Sequence, residues 1–125
     1  KHGTGFCYAK SHLLAALLRA NNIACGLCYQ RLTIVNEQPP FCLHGLNAVY
    51  LQGSGWYRLD ARGNKEGVDA HFCPPIEKLA FNIVVQGEAD LPQVYPGPIP
   101  EIIAALQTND TYLQLLANLP DVELY

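Results

Sequence analysis

Apolar side chains recur at helical spacing near the start of the chain, where Leu13, Leu14, Leu17 and Leu18 repeat with Ala9, Ala15 and Ala16 among them. The pattern predicts a helix from about Phe6 to Ala20. Thr4 is placed to cap it, and Asn21-Asn22 to stop it in a left-handed turn. From Ile23 to Ile34 the period changes to two, so a strand is expected from Ala24 to Leu32, with Pro39-Pro40 closing a polar loop. Leu43 to Leu51, then Gln52-Gly53-Ser54-Gly55, then Trp56 to Asp60 read as two short strands around a glycine turn. His44 opens the first of these strands and Asp60 closes the second. In an antiparallel hairpin those two ends meet, and two even positions share a face if no bulge intervenes.

The pattern weakens after the hairpin. Arg62 to Pro75 reads as a loop, Pro74-Pro75 leads into a helical turn near Ile76 to Leu79, and Phe81 to Val85 is a further strand. Leu91 to Pro100 holds four of the nine prolines and is expected to be an extended surface connector. Pro100 starts a helix to about Gln107, and Thr108-Asn109-Asp110 caps a second one running to about Asn118. The expected class is α+β: a helix carrying Cys7 packed on an antiparallel sheet, with C-terminal helices covering one side.

Composition narrows the function classes. Half of the 125 residues are hydrophobic and 15% are charged, which suits one packed domain over residues 1–125. A net charge of -3 leaves no surplus cation for nucleic acid or an anionic membrane. The longest apolar stretches, Leu13 to Leu18 and Ile102 to Leu106, fall far short of the roughly 20 residues that span a bilayer. There is no secretory signal pattern, and the chain opens on Lys1 without any Met, so part of an N-terminal region is expected to be missing. Five cysteines cannot all pair within one chain, which points to a reducing compartment, the cytoplasm. No cofactor is implied, and no pattern speaks to oligomeric state.

A thiol nucleophile needs a stabilised thiolate, a general base within reach, and a group that orients the base. Cys7 sits in the first helical turn, where unpaired N–H groups favour an anion. His44 and Asp60 meet at the hairpin's open end, so a helix packed there joins all three. Taken singly, Cys7 reads as a small core residue, His44 as a structural histidine and Asp60 as a loop cap; the spacing together favours the triad. Cys25-x-x-Cys28 admits a redox or zinc reading, but inside a strand its side chains point to opposite faces and no second such pair exists. No metal site is expected, and His2, His12 and His71 read as surface groups. Trp56 and Tyr57 read as hairpin packing. Arg58 and Arg62 either pair with acidic neighbours, the preferred reading, or meet a substrate carboxylate.

Gly5-Phe6-Cys7-Tyr8, Leu17-Leu18-Arg19-Ala20 followed by Ile23, His44-Gly45, and Trp56-Tyr57-Arg58-Leu59-Asp60-Ala61 together resemble the transglutaminase-like superfamily of papain-related cysteine enzymes. The resemblance covers about residues 3 to 66. The remainder is similar to C-terminal regions of bacterial transglutaminase-like proteins. The resemblance implies a papain/transglutaminase-like core with Cys7 as nucleophile, His44 as base and Asp60 as its orienting carboxylate. It implies acyl transfer on a protein or peptide substrate, with hydrolysis of a peptide or carboxamide bond favoured because no calcium-binding carboxylate clusters or amine-donor site are evident. Transglutaminase-type amine transfer and a non-catalytic protein-binding module on the same fold are the alternatives. The chain departs from its relatives at Tyr8 and Leu46, where many carry Trp, and at Arg62, where many carry Thr.

Overall fold

The computed structural model describes residues 7–35, 37–63, 66 and 68–122. Helix α1 (Cys7–Ala20) ends where expected, with Asn22 in the left-handed conformation at φ 60°. The predicted cap, Thr4, lies outside the described residues. The leucine repeat does not form the buried face. Tyr8, Ser11 and Ala15 do, whereas Leu13 and Leu17 are 61% and 54% exposed. Small Ser11 and Ala15 let the helix lie close to the sheet, and the leucines flank that line of contact. Leu14 and Leu18 instead line an apolar groove with Ile23, Val49, Leu51, Leu59 and Phe72.

β1 (Cys25–Val35), β2 (Gln38–Leu51), β3 (Gly55–Leu59) and β4 (Ala89–Asp90) form one antiparallel sheet in the order β3-β2-β1-β4. β2 begins earlier than the hydrophobic pattern predicts and takes in Pro39 and Pro40. The register passes from Thr33↔Phe41 to Val35↔Gln38, an irregularity that leaves both prolines out of the paired positions, where a missing N–H costs no ladder bond. His44 therefore lies inside β2 and does not open it. The β2–β3 register runs without a bulge from Leu51↔Gly55 to Asn47↔Leu59.

Two expected elements are absent among the described residues. Residues 76–79 form no helical turn: Cys73 and Ile76 close a tight turn on themselves, and the Tyr57 hydroxyl holds the Ile76 carbonyl at 2.7 Å. Residues 81–85 form no strand, because the Glu88 carboxylate accepts from the N–H groups of Val84 and Val85 that a ladder would need. The proline-rich segment is more than a surface connector. Leu91 N–H donates to Tyr29, and Leu27 and Tyr95 exchange both backbone bonds, so the segment extends along the β1 edge with breaks at its prolines. Gly26 permits this, since a Cβ there would stand 2.3 Å from Val94 Cγ1.

Helices α2 (Pro100–Thr108) and α3 (Tyr112–Ala117) close the chain. The cap of α3 is Thr111, whose hydroxyl accepts from the Gln114 N–H, and not the preceding cluster. Ile102, Ala105 and Leu115 join Tyr8, Leu27, Tyr29, Leu43, Val49 and Tyr57 in the main core. The opposite sheet face holds a smaller cluster of Cys28, Leu46 and Ala48. Cys25 belongs to the first and Cys28 to the second, as strand alternation requires. The architecture is a mixed helix and antiparallel sheet arrangement, compatible with an α+β transglutaminase-like fold. Among the described residues, no helix is long and apolar enough to cross a membrane.

Candidate active site

β3 ends at Leu59 while β2 continues past its last partner, Asn47. The β2 edge from Leu43 to Gly45 thus has free N–H and C=O groups, and the start of α1 fills the gap. Tyr8 donates its hydroxyl proton to the Leu43 carbonyl, and the Gly45 N–H donates to Cys7 Sγ at 3.3 Å. The Leu43 N–H donates to the Pro120 carbonyl at 2.8 Å. Each bond satisfies an edge group that would otherwise be buried without a partner.

Gly45 makes the approach possible. A Cβ at this position would lie 3.2 Å from the Tyr8 ring and 3.3 Å from Ser11 Oγ, tighter than ordinary contact. Asn47, fully buried, anchors the next turn by donating from Nδ2 to the Ser11 carbonyl at 2.9 Å. Sequence and packing together thus fix Cys7 over the unpaired edge of β2.

His44 and Asp60 sit beside it. The bulge-free register would place Asp60 opposite Leu46, which makes His44 its diagonal neighbour on the same face. His44 Nε2 meets Asp60 Oδ2 at 2.6 Å, with both side chains buried. That bond fixes a proton on Nε2 and leaves Nδ1 for the Cys7 side. Asp60 Oδ1 accepts from the Arg62 N–H at 2.9 Å, and the Ala80 N–H also serves the carboxylate. Burial by itself favours neutral Asp60, but these donors outweigh it and hold the carboxyl below the usual carboxylate range. Burial likewise pulls His44 down. Its hydrogen bonds to Asp60 and Cys7, with the charges of both, reverse the sign and push it up to about 9.

Cys7 and His44 line a cleft of about 410 Å³, with Asp60 buried behind the imidazole. Some of its features have no signal in the sequence pattern. Phe81 meets the His44 ring edge-on at 5.0 Å and carries the Arg62 guanidinium 5.1 Å from its own centroid. It comes from a long irregular segment without periodicity, so only the folded chain reveals it. Cys42 also lines the cleft, two residues before His44, with its thiol pushed up to about 11, mainly by burial.

Other candidates fall elsewhere. Arg58 pairs with Glu77 and Asp90 at 2.7 Å each, the preferred sequence reading. Trp56 stacks edge-on against Tyr50, and Tyr57 is buried. His71 is exposed and paired with Asp69, while His12 is half-buried with an enclosed Nε2, contrary to the surface expectation. His2 lies outside the described residues. All five cysteines are free thiols, and among the described residues no three His, Cys, Asp or Glu side chains are grouped as a metal would need.

Residues 1–61 match the family model of the transglutaminase-like superfamily. This stretch, just under half of the chain, carries α1, β1, β2, β3 and all three triad candidates, and the superfamily it matches is one of cysteine-based acyl-transfer proteins. No curated protein and no solved structure matches the chain.

Proposed function

We propose that the protein is a cysteine-dependent hydrolase of peptide or carboxamide bonds, working through Cys7, His44 and Asp60 on a papain/transglutaminase-like core. The observation that carries this reading is the buried His44–Asp60 pair at 2.6 Å, with the other side of the imidazole turned to the sulfur at the start of α1. Asp60 holds Nε2–H and keeps Nδ1 on the reacting side. With the proton of the Cys7–His44 pair on the imidazole, the sulfur attacks the carbonyl carbon as thiolate. The Cys7 backbone N–H, in the first turn that the sequence predicts for this helix, is one donor to the developing oxyanion. Collapse breaks the C–N bond, and Nδ1–H protonates the leaving amine. Water then attacks the thioester, His44 takes its proton, and the carboxylic acid leaves as the thiolate–imidazolium pair is restored.

Hydrolysis is the favoured outcome because the cleft is bordered by exposed Glu37, Asn82 and Val84 and lies open to water. The odd number of cysteines, all free, supports a reducing, cytoplasmic setting. Incubation with a p-nitrophenyl ester and with glutamine-containing peptides, followed by acid quench and intact mass, tests the reading. The expected result is an acyl adduct on Cys7 that hydroxylamine removes and that Cys7→Ala and His44→Ala both lose. An adduct that persists in Cys7→Ala, or none with any acyl donor, would leave a protein-binding module on the same fold. Products carrying an added primary amine in place of water would favour amine transfer.

A further inference from the structure

Among the described residues, the cleft beside Cys7 holds one cation that the fold does not use. Arg58 and Arg31 are both held by acidic side chains, Arg58 by Glu77 and Asp90, Arg31 by Asp121. Among the described residues, the Arg62 guanidinium has no acidic partner and no hydrogen bond; its one contact is the face of Phe81. Its position is nonetheless fixed. The Arg62 N–H is held by Asp60 Oδ1, and Phe81 touches both the guanidinium, 5.1 Å from its centroid, and the His44 ring, 5.0 Å away, so the cation and the imidazole share one aromatic neighbour. Both side chains line the same cleft as Cys7.

The acids of that cleft are placed otherwise. The Glu88 carboxylate is consumed by four donors, the N–H and hydroxyl of Thr33 and the N–H groups of Val84 and Val85, and serves as a clip for that loop. Glu37 lies in the turn between β1 and β2 and makes no ion pair with Arg62. Asp60 spends its charge on His44. A guanidinium stacked on an aromatic face keeps its in-plane N–H fork free to meet a carboxylate in a bidentate manner.

We propose that Arg62 binds a carboxylate carried next to the scissile amide, so that the acyl substrate is an anionic peptide or N-acyl amino acid. This rests on Cys7 being the nucleophile of the same cleft. Two sources supply such a carboxylate, a free C-terminus and an acidic side chain. Stacking on Phe81 accounts for the position of Arg62 and leaves its exposed in-plane N–H groups open to a ligand.

The test titrates the protein with three carboxamide probes while following the Arg62 Nε–H resonance by NMR, assigned by its loss in Arg62→Gln. The probes are N-acetylglutamine, N-acetyl-aspartyl-glutamine amide and N-acetylglutamine amide. The resonance is expected to move with the first if a C-terminal carboxylate is bound, with the second if an acidic side chain is, and in either case by more than with the neutral amide. Equal movement with all three, or none with either acid, overturns the proposal. Alkylation of Cys7 gives an independent reading: the rate ratio of iodoacetate to iodoacetamide should fall about fivefold in Arg62→Gln and recover in part in Arg62→Lys, the size expected of a half-exposed charged contact. An unchanged ratio contradicts the assignment. If neither reagent singles out Cys7, the nucleophile reading fails, and the NMR comparison still decides for or against a carboxylate at Arg62.

Discussion

Removing the charge of Asp60 should change both the protonation of His44 and the pH dependence of folding. The folded imidazole is pushed up to about 9 from an ordinary value of 6.5, against burial, by the bonds and charges of Asp60 and Cys7. At about 1.4 kcal/mol per pH unit this is about 3 kcal/mol of stability, and with the side chain only 7% exposed little is lost to solvent screening. A raised histidine contributes fully below 6.5 and loses its contribution as pH rises through about 9, because the native state then holds a proton that the unfolded state has released. Wild-type stability, from urea midpoints at constant m, should therefore fall by up to about 3 kcal/mol between pH 6 and 9. In Asp60→Asn burial gains weight, the His44 midpoint drops by at least about one pH unit, and the slope flattens. NMR titration of the His44 ring reads the midpoint directly. His12, lowered by burial, adds a rise as pH passes about 6.5, and the buried thiols of Cys25, Cys28 and Cys42 add a decline as pH approaches the ordinary thiol value of 9; both are common to wild type and Asp60→Asn, so the difference between the two slopes isolates His44. A wild-type midpoint at or below 6.5, or an equal slope in Asp60→Asn, would refute the reasoning.

Two further outcomes test how α1 is held. Gly45→Ala should push Tyr8 and Ser11 by a few tenths of an ångström, destabilising the fold by about 1–3 kcal/mol and slowing acylation of Cys7 by more than the stability loss explains; thermal melts and single-turnover acylation measured together check it, and unchanged acylation would show that the contact does not position the sulfur. Asn47→Ala removes a buried side-chain hydrogen bond to the Ser11 carbonyl and leaves a void in its place, and should cost about 1–3 kcal/mol in urea denaturation, with a change within error meaning that the bond is not made in solution.

The parts of the fold that could be read from the sequence are those governed by local pattern. The Asn pair marks the end of α1, and the glycine turn sets a bulge-free β2–β3 register, which puts His44 and Asp60 on one face. Pro100 likewise starts α2. What could not be read depends on partners distant in the chain. The leucine repeat of α1 looks like a core face until Gly45, 30 residues and more away from the helix's middle, selects the narrower Tyr8–Ser11–Ala15 line. Pro39 and Pro40 look like a loop because the irregularity that accommodates them belongs to the pairing with β1. Residues 81–85 have strand composition, but Glu88 takes their donors, and Phe81 turns out to border His44 with no periodic signal to announce it. The closeness of Cys7, His44 and Asp60 could be anticipated because it follows from element order and the β2–β3 register, both locally encoded.

The central claim, an activated Cys7 paired with His44, is tested most directly by limiting iodoacetamide on the native protein, with the label located among the five cysteines by mass spectrometry. Burial pushes up the thiols of Cys25, Cys28 and Cys42, which leaves Cys73 as the main competitor. The account predicts that Cys7 is labelled first at neutral pH and that His44→Ala slows this labelling by at least about tenfold while Cys73 reacts as before. Labelling of Cys73 ahead of Cys7, or a Cys7 rate indifferent to His44→Ala, would contradict it.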